Sequence, residues 1–358
     1  MTNQALARAF IGLLIITFGC GPSPVPAPPA PPPPIDEHLS SLAPAGHQQV
    51  TLLDVTRLRT SELWFLSSYA SSNQIFAGII RDTGIDPLAT VDEVILVSSD
   101  RNKELGTRDQ FLAIMKGRMD TEAVVSAVAA LKNASSFEAN GGFNGAQTPK
   151  LTFVALTGRT LIVGSENIVA DAVALANGEG RSIEDDPNFS NFELSPTQTV
   201  RTRFVRGDNP LDSSGLRGPM GKWRWLENID RIDASASISG GMKIVSASRL
   251  DSEKDASRAS RDLRRLIKLF RRNTFVVLIG VERFLRKIEV ASEGNSLEVG
   301  IHLDENDIEN LKKLSERLDK IKDLLSEPDE NEPVELDPPM LKHKAKSGFR
   351  IQLKVGDE

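Results

Sequence analysis

A chain of 358 residues that contains one cysteine, Cys20, cannot form an intramolecular disulfide. Four histidines and that cysteine are too few, and too scattered, for a Cys/His zinc site. No apolar run reaches the ~18 residues that span a bilayer, which excludes a polytopic membrane protein. Neither sign of charge dominates. The net charge is −6, so no global field draws nucleic acid. What is present is ordinary globular usage, 40% hydrophobic and 26% charged. The length suffices for two domains with real cores.

The amino terminus carries Arg8, then an apolar run over 9–18 that ends in Gly19-Cys20. That run has the length of a signal-peptide core and is too short to cross a membrane. Gly19-Cys20 resembles the processing site of bacterial lipoproteins, although Thr17 and Phe18 stand where that family usually has Leu and a small residue. The resemblance implies cleavage between Gly19 and Cys20 by signal peptidase II and lipidation of Cys20. Gly21 is not the aspartate that retains enterobacterial lipoproteins in the inner membrane, so the implied address is the outer membrane, facing the periplasm. The other reading of the segment is an ordinary secretory signal with an incidental cysteine. Export of the anchored chain to the cell surface is also left open. Nine of the twenty prolines then fall within 22–34. Such a stretch is a polyproline II spacer of roughly 40 Å, at ~3.1 Å per residue.

Beyond the spacer one pattern occurs twice. Val91-Asp92-Glu93-Val94 returns as Ile229-Asp230-Arg231-Ile232, Arg118-Met119-Asp120-Thr121-Glu122 as Arg249-Leu250-Asp251-Ser252-Glu253, and Leu161-Ile162-Val163-Gly164 as Leu297-Glu298-Val299-Gly300. The first copy predicts strands over 49–55, 94–98, 111–118, 151–156 and 160–164. Its helices are predicted over 62–69, 75–83, 120–132 and 167–176. The second copy predicts strands over 200–206, 232–238, 242–249, 285–291 and 296–302, and helices over 251–272 and 306–325. Helices and hairpins without a β-α-β rhythm predict an α+β fold: two related antiparallel-sheet-plus-helix units formed by internal duplication. The expected organisation is a signal peptide over 1–19 and the lipidated cysteine and linker over 20–47. Repeats over 48–198 and 199–326 follow, then an acidic, proline-containing tail over 327–358 with a terminal strand near 348–355. Leu53-Asp54-Val55, Arg57-Leu58, Gly84-Ile85-Asp86-Pro87-Leu88 and Arg159-Thr160-Leu161-Ile162-Val163-Gly164-Ser165 are similar to segments of uncharacterised envelope lipoproteins of myxobacteria and related Gram-negative bacteria. That resemblance supports the architecture and transfers no activity.

Few residues suggest catalysis. Gly215-Leu216-Arg217-Gly218-Pro219-Met220-Gly221-Lys222 misses phosphate-loop spacing by one, and Trp223 replaces the metal-binding hydroxyl, so no nucleotide is expected. Asn140-Gly141-Gly142 reads as a turn between strands. No nucleophile motif, calcium loop or metal spacing occurs, and no catalytic residue, metal or cofactor is expected.

One helix is less ordinary. After Asp251, apolar residues recur at Ala256, Ala259, Leu263, Leu266, Ile267 and Phe270. The opposite face carries Lys254, Arg258, Arg261, Arg264, Arg265, Lys268, Arg271 and Arg272, and Arg283, Arg286 and Lys287 follow. Residues 201–326 hold 25 basic against 20 acidic groups, whereas 48–200 hold 12 against 19. The basic face predicts an anionic partner: lipid headgroups, the phosphates of lipopolysaccharide, or an acidic protein. The competing reading is a solvated helix face whose charges also pair with the acidic first half. No aromatics interleave with the arginines, so nucleic acid is not expected. The function expected is a non-catalytic binding or scaffolding protein of the cell envelope. An envelope lipid or lipopolysaccharide carrier is the alternative, and an unrecognised enzyme the third class.

Overall fold

Local chemistry starts most of the elements. The Asp54, Asp120 and Ser252 side chains accept hydrogen bonds from the backbone N–H of Arg57, Ala123 and Asp255, and each opens a helix. Gly141 and Gly142, at φ +86° and +79°, make the turn of one hairpin, and Gly294 at +52° opens the loop of another. A computed structural model describes residues 38–65, 87–99, 110–206, 217–218, 221–273, 276–277 and 280–326. Gly19, Cys20, the proline stretch, the helix expected over 75–83, the acidic tail and its terminal strand lie outside these residues.

The strands are β1 (Gln49–Asp54), β2 (Val91–Ser99), β3 (Gln110–Gly117), β4 (Ser135–Ala139), β5 (Phe143–Gln147), β6 (Thr152–Thr157) and β7 (Thr160–Gly164). They continue as β8 (Val200–Val205), β9 (Arg217–Gly218), β10 (Gly221–Lys222), β11 (Ile229–Ile238), β12 (Met242–Leu250), β13 (Ile288–Glu293) and β14 (Ser296–Leu303). The helices are α1 (Val55–Arg59), α2 (Pro87–Thr90), α3 (Thr121–Ala129), α4 (Glu166–Ala176), α5 (Glu253–Arg271), α6 (Glu282–Leu285) and α7 (Glu305–Ser326).

The chain divides into two compact units, Met1–Ser315 and Glu316–Glu358. In the second, the described residues 316–326 are the end of α7. In the first, twelve strands form one antiparallel sheet in the order β13-β14-β12-β11-β8-β1-β2-β3-β7-β6-β5-β4. The protein is therefore a mixed α+β fold dominated by a large antiparallel sheet. Strands of both expected halves share this sheet, joined by β1 and β8. At the joint Thr51 opposes Thr202, and their hydroxyls hydrogen-bond at 2.7 Å.

From this joint outward the two paths coincide. One runs β1-β2-β3-β7-β6 and the other β8-β11-β12-β14-β13. A helix follows the third strand of each, α3 in one and α5 in the other. Each second strand is also interrupted at the same place, between Val91 and Glu93 and between Ile229 and Arg231. The β4–β5 hairpin has no counterpart in the second path.

The first half of the sheet is covered on both faces. Val50, Leu52, Ile95, Leu112 and Ile162 pack with α4, whereas Val94, Met115, Phe153 and Leu161 pack with α3. In the second half, Ile229, Leu250, Val290 and Leu297 pack with Ala256 and Ala259 of α5. Met242 and Leu303 pack with Ile308 and Leu314 of α7. The strand registers place both of these clusters on the face that α3 covers. The opposite face of β12–β14 carries exposed Lys243, Ala247, Arg249, Glu298 and His302, as a solvated antiparallel sheet does.

Most expected elements form within a few residues of their predicted limits. Two differ. Of the stretch predicted as a helix over 62–69, the described part, Glu62–Phe65, is a 3-10 turn, and 66–69 lie outside the described residues. The strand predicted from 285 begins at Ile288, because Glu282–Leu285 closes a helical turn that buries Phe284 and Leu285.

Candidate functional site

Helix α5 spans 19 residues and buries Ala256, Ala259, Ser260 and Leu266, of which Ala256 and Ala259 pack on the sheet. The small residues Ala256 and Ala259 let its first turns lie close to the strands, and Leu263 and Ile267 pack against the same cluster. The 3.6-residue repeat then turns Lys254, Arg258, Arg261, Arg265, Lys268 and Arg272 outward and leaves Arg264 and Arg271 at the flank of that contact.

The structure divides the eight predicted basic residues into two groups. Lys254, Arg258, Arg261 and Arg265 are exposed on the outer side of α5. Arg264, Lys268, Arg271 and Arg272 line a cavity of about 460 Å³. The rest of the lining comes from elements that the helix pattern does not reveal: Glu282, Leu285 and Arg286 from α6 and its end, and Ile288 and Val290 from β13. Ile267 completes an apolar floor with Leu285, Ile288 and Val290.

The rim is cationic and poorly neutralised. Arg286 Nε donates to Glu282 Oε1 at 2.7 Å, and this bond holds the Glu282 carboxyl below its ordinary range. Arg271 Nε lies 3.7 Å from the same oxygen, an ion-pair distance too long for a hydrogen bond. That nitrogen is buried and makes no hydrogen bond. Arg264 Nε donates to the Val290 carbonyl at 3.1 Å, so it covers an outward backbone acceptor on the edge strand β13. Among the described residues, no carboxylate lies within 4 Å of Lys268 or Arg272. Five cations and one carboxylate therefore face one space whose floor is hydrocarbon.

Neutralisation by the acidic first half does not occur among the described residues. Lys254, Arg258, Arg261, Arg265, Lys268 and Arg272 have no acidic partner there. Apolar side chains stand among them. Leu269 on α5 is 48% exposed, and Val277 just beyond the helix is 51% exposed. Of the other basic residues nearby, Arg283 stacks on the Phe284 ring at 4.6 Å, and Lys287 pairs with Asp304 and Asp307.

The segments on either side of this region have structural roles. The Trp223 and Trp225 indoles stack with centroids 5.8 Å apart and pack into the core beneath α5. Arg217–Gly218 and Gly221–Lys222 form a short two-stranded ladder. Asn140-Gly141-Gly142 is the β4–β5 turn. Among the described residues, no group of three or more His, Cys, Asp or Glu is arranged to hold a metal ion. No helix of the described residues is long and apolar enough to cross a membrane.

No family model matches the chain, and no curated protein matches it. Among solved structures, three crystal forms of TP0453 are similar. Form III shares 10% identity at a TM-score of 0.47, covering 77% of this chain and 97% of its own. Form IV shares 9% at 0.46, covering 74% and 92%. Form I shares 9% at 0.42, covering 78% and 98%.

Proposed function

We propose that this chain is a lipid-anchored protein of the outer membrane, facing the periplasm, that binds an anionic lipid surface and catalyses no reaction. The observation that carries the binding role is the outer side of α5, where lysines and arginines with no acidic partner among the described residues surround the exposed Leu269. Cations at that density gain from an anionic leaflet, and an exposed apolar side chain among them gains from the headgroup–acyl boundary. Gly19-Cys20 and the proline spacer supply the anchor and the reach of this reading. We also propose that the two halves of the sheet are a duplicated unit. The matching strand paths, the matched interruptions at Asp92 and Asp230, and the Thr51–Thr202 joint support it.

Co-sedimentation with vesicles tests the binding role. Purified chain lacking the acyl groups should bind vesicles containing phosphatidylglycerol and not pure phosphatidylcholine. Binding should weaken with salt as screening shortens from ~10 Å at 0.1 M to ~3 Å at 1 M. At about 1 kcal/mol per cation, Arg258→Gln with Arg265→Gln should lower partition about 30-fold. Equal binding to both vesicle types sinks the anionic-lipid reading, and binding to neither leaves an acidic protein as the partner. Intact mass and membrane fractionation beside Cys20→Ser test the anchor. An acylated mass and membrane partition, both lost in the variant, are expected.

A further inference from the structure

We infer that the cavity beneath the carboxyl end of α5 is a binding site for one anionic amphiphile, a phosphodiester headgroup joined to short apolar chain. The inference deepens the surface reading above, and rests on it for the source of the ligand, a leaflet lipid. The site itself rests on separate observations.

The first is charge. Arg271 and Arg286 share the single carboxylate of Glu282, while Lys268 and Arg272 have none among the described residues. The buried Arg271 Nε is left with a donor and no acceptor. That nitrogen is sealed from the cavity, so the charge an anion would meet there is that of the exposed Lys268, Arg272 and Arg286.

The second is the floor. Leu285 and Val290 are buried, and Ile267 and Ile288 stand beside them half-buried. A purely inorganic anion would leave this hydrocarbon unused. A wholly apolar ligand would desolvate the guanidinium groups without compensation. A molecule with a phosphate at the rim and methylenes on the floor satisfies both. The volume of about 460 Å³ suits a headgroup with the first part of its chains. Lipid diesters supply that combination, and their phosphate accepts from the planar arginine fork.

The probe is dihexanoyl-phosphatidylglycerol, kept below its micelle concentration and titrated calorimetrically into the unacylated full chain. Saturable one-to-one binding is expected. Dihexanoyl-phosphatidylcholine should bind at least about tenfold more weakly, because its choline cation meets an uncompensated cationic rim. Inorganic phosphate should also be at least about tenfold weaker, because no methylene is buried. Lys268→Gln with Arg272→Gln should weaken the probe about tenfold or more. Both side chains are exposed and have no acidic partner among the described residues, so the fold is retained. Arg258→Gln with Arg265→Gln should leave probe binding unchanged while it reduces vesicle binding. Absence of saturable binding overturns the inference, as does binding indifferent to Lys268 and Arg272. Phosphate binding as tight as the probe reduces the site to an inorganic anion site and also overturns it. Saturable probe binding without vesicle binding leaves the cavity standing and removes the surface reading. The converse removes the cavity alone.

Discussion

Arg203 carries its charge with only 5% of its side chain exposed. Its Nε donates to Asp233 Oδ1 at 2.6 Å and its Nη1 to the Asn188 carbonyl at 2.8 Å, and the guanidinium lies 5.0 Å from the centroid of the Phe192 ring. The alternation Val200-Arg201-Thr202-Arg203 reads in sequence as a strand with its charges in water. The register overrides that reading. Arg201 and Arg203 oppose Leu52 and Val50, on the face where Phe189 and Phe192 pack. Burial disfavours the charge of Asp233, but hydrogen bonds from Arg231 and Arg203 outweigh it and hold the carboxyl below its ordinary range. Removing one member of a buried pair is the costly change, so Arg203→Met should destabilise by about 3 kcal/mol, read as a shift of the urea midpoint. The sign with pH follows from the lowered carboxyl. Asp233 contributes stability above the ordinary aspartate range and loses it as pH falls through its lower folded value. The gap between wild type and Asp233→Asn should therefore be full at neutral pH and shrink below pH ~4. A gap constant across that range would show that the charge contributes nothing.

At the level of elements, α5 was the most legible, because a 3.6-residue stripe, a serine cap and a long basic face all agree. Its cap is testable alone. Ser252 Oγ accepts from Asp255 N–H at 3.2 Å and donates to Asp255 Oδ2 at 2.6 Å. Ser252→Ala should cost about 1 kcal/mol, and Ser252→Asp should restore most of it, in the same urea measurement. A midpoint unchanged in the alanine variant would mean that packing of Ala256 and Ala259 alone fixes the helix start. The β4–β5 hairpin shows the opposite case. Its turn was readable at Asn140-Gly141-Gly142, but Ser135, Ser136, Glu138, Asn144 and Gly145 carry little strand propensity. Pairing of Gly145–Gln147 with β6 makes those strands, and pairing of that kind leaves no local trace. The candidate site divides along the same line. Arg264, Lys268, Arg271 and Arg272 follow from helix periodicity. Glu282, Arg286, Ile288 and Val290 join them only because α6 and β13 fold back beside the helix. The sequence thus held the charge of the site and not its floor.

Across the whole sheet, the consequence of the β1–β8 joint is cooperative. The two strands pair from Gln49–Phe204 to Leu53–Val200. Contacts outside the ladder strengthen the joint. Arg57 Nη1 donates to the Gln198 carbonyl, Asp54 N–H donates to Thr199 at 2.9 Å, and Phe189 and Phe192 pack on the first-half core beneath Arg201 and Arg203. If the joint is broken, each half exposes a central strand edge with Val50 and Leu52 on one side and the buried Arg203 on the other. Neither half can separate without that exposure, so both should unfold in one transition. A Trp64→Phe background leaves Trp223 and Trp225 to report the second half, while far-UV circular dichroism reports both. The two urea curves should coincide in that background. Thr202→Pro removes a ladder donor in a central strand and excludes the ring from its register. In the same background it should split the transition, with fluorescence and dichroism midpoints moving apart. Coincident curves in the proline variant would place the coupling in the Phe189–Phe192 segment rather than in the ladder. Separate curves in the parent would mean that the joint is weaker than either half, and that the continuous sheet is two folding units that share a seam.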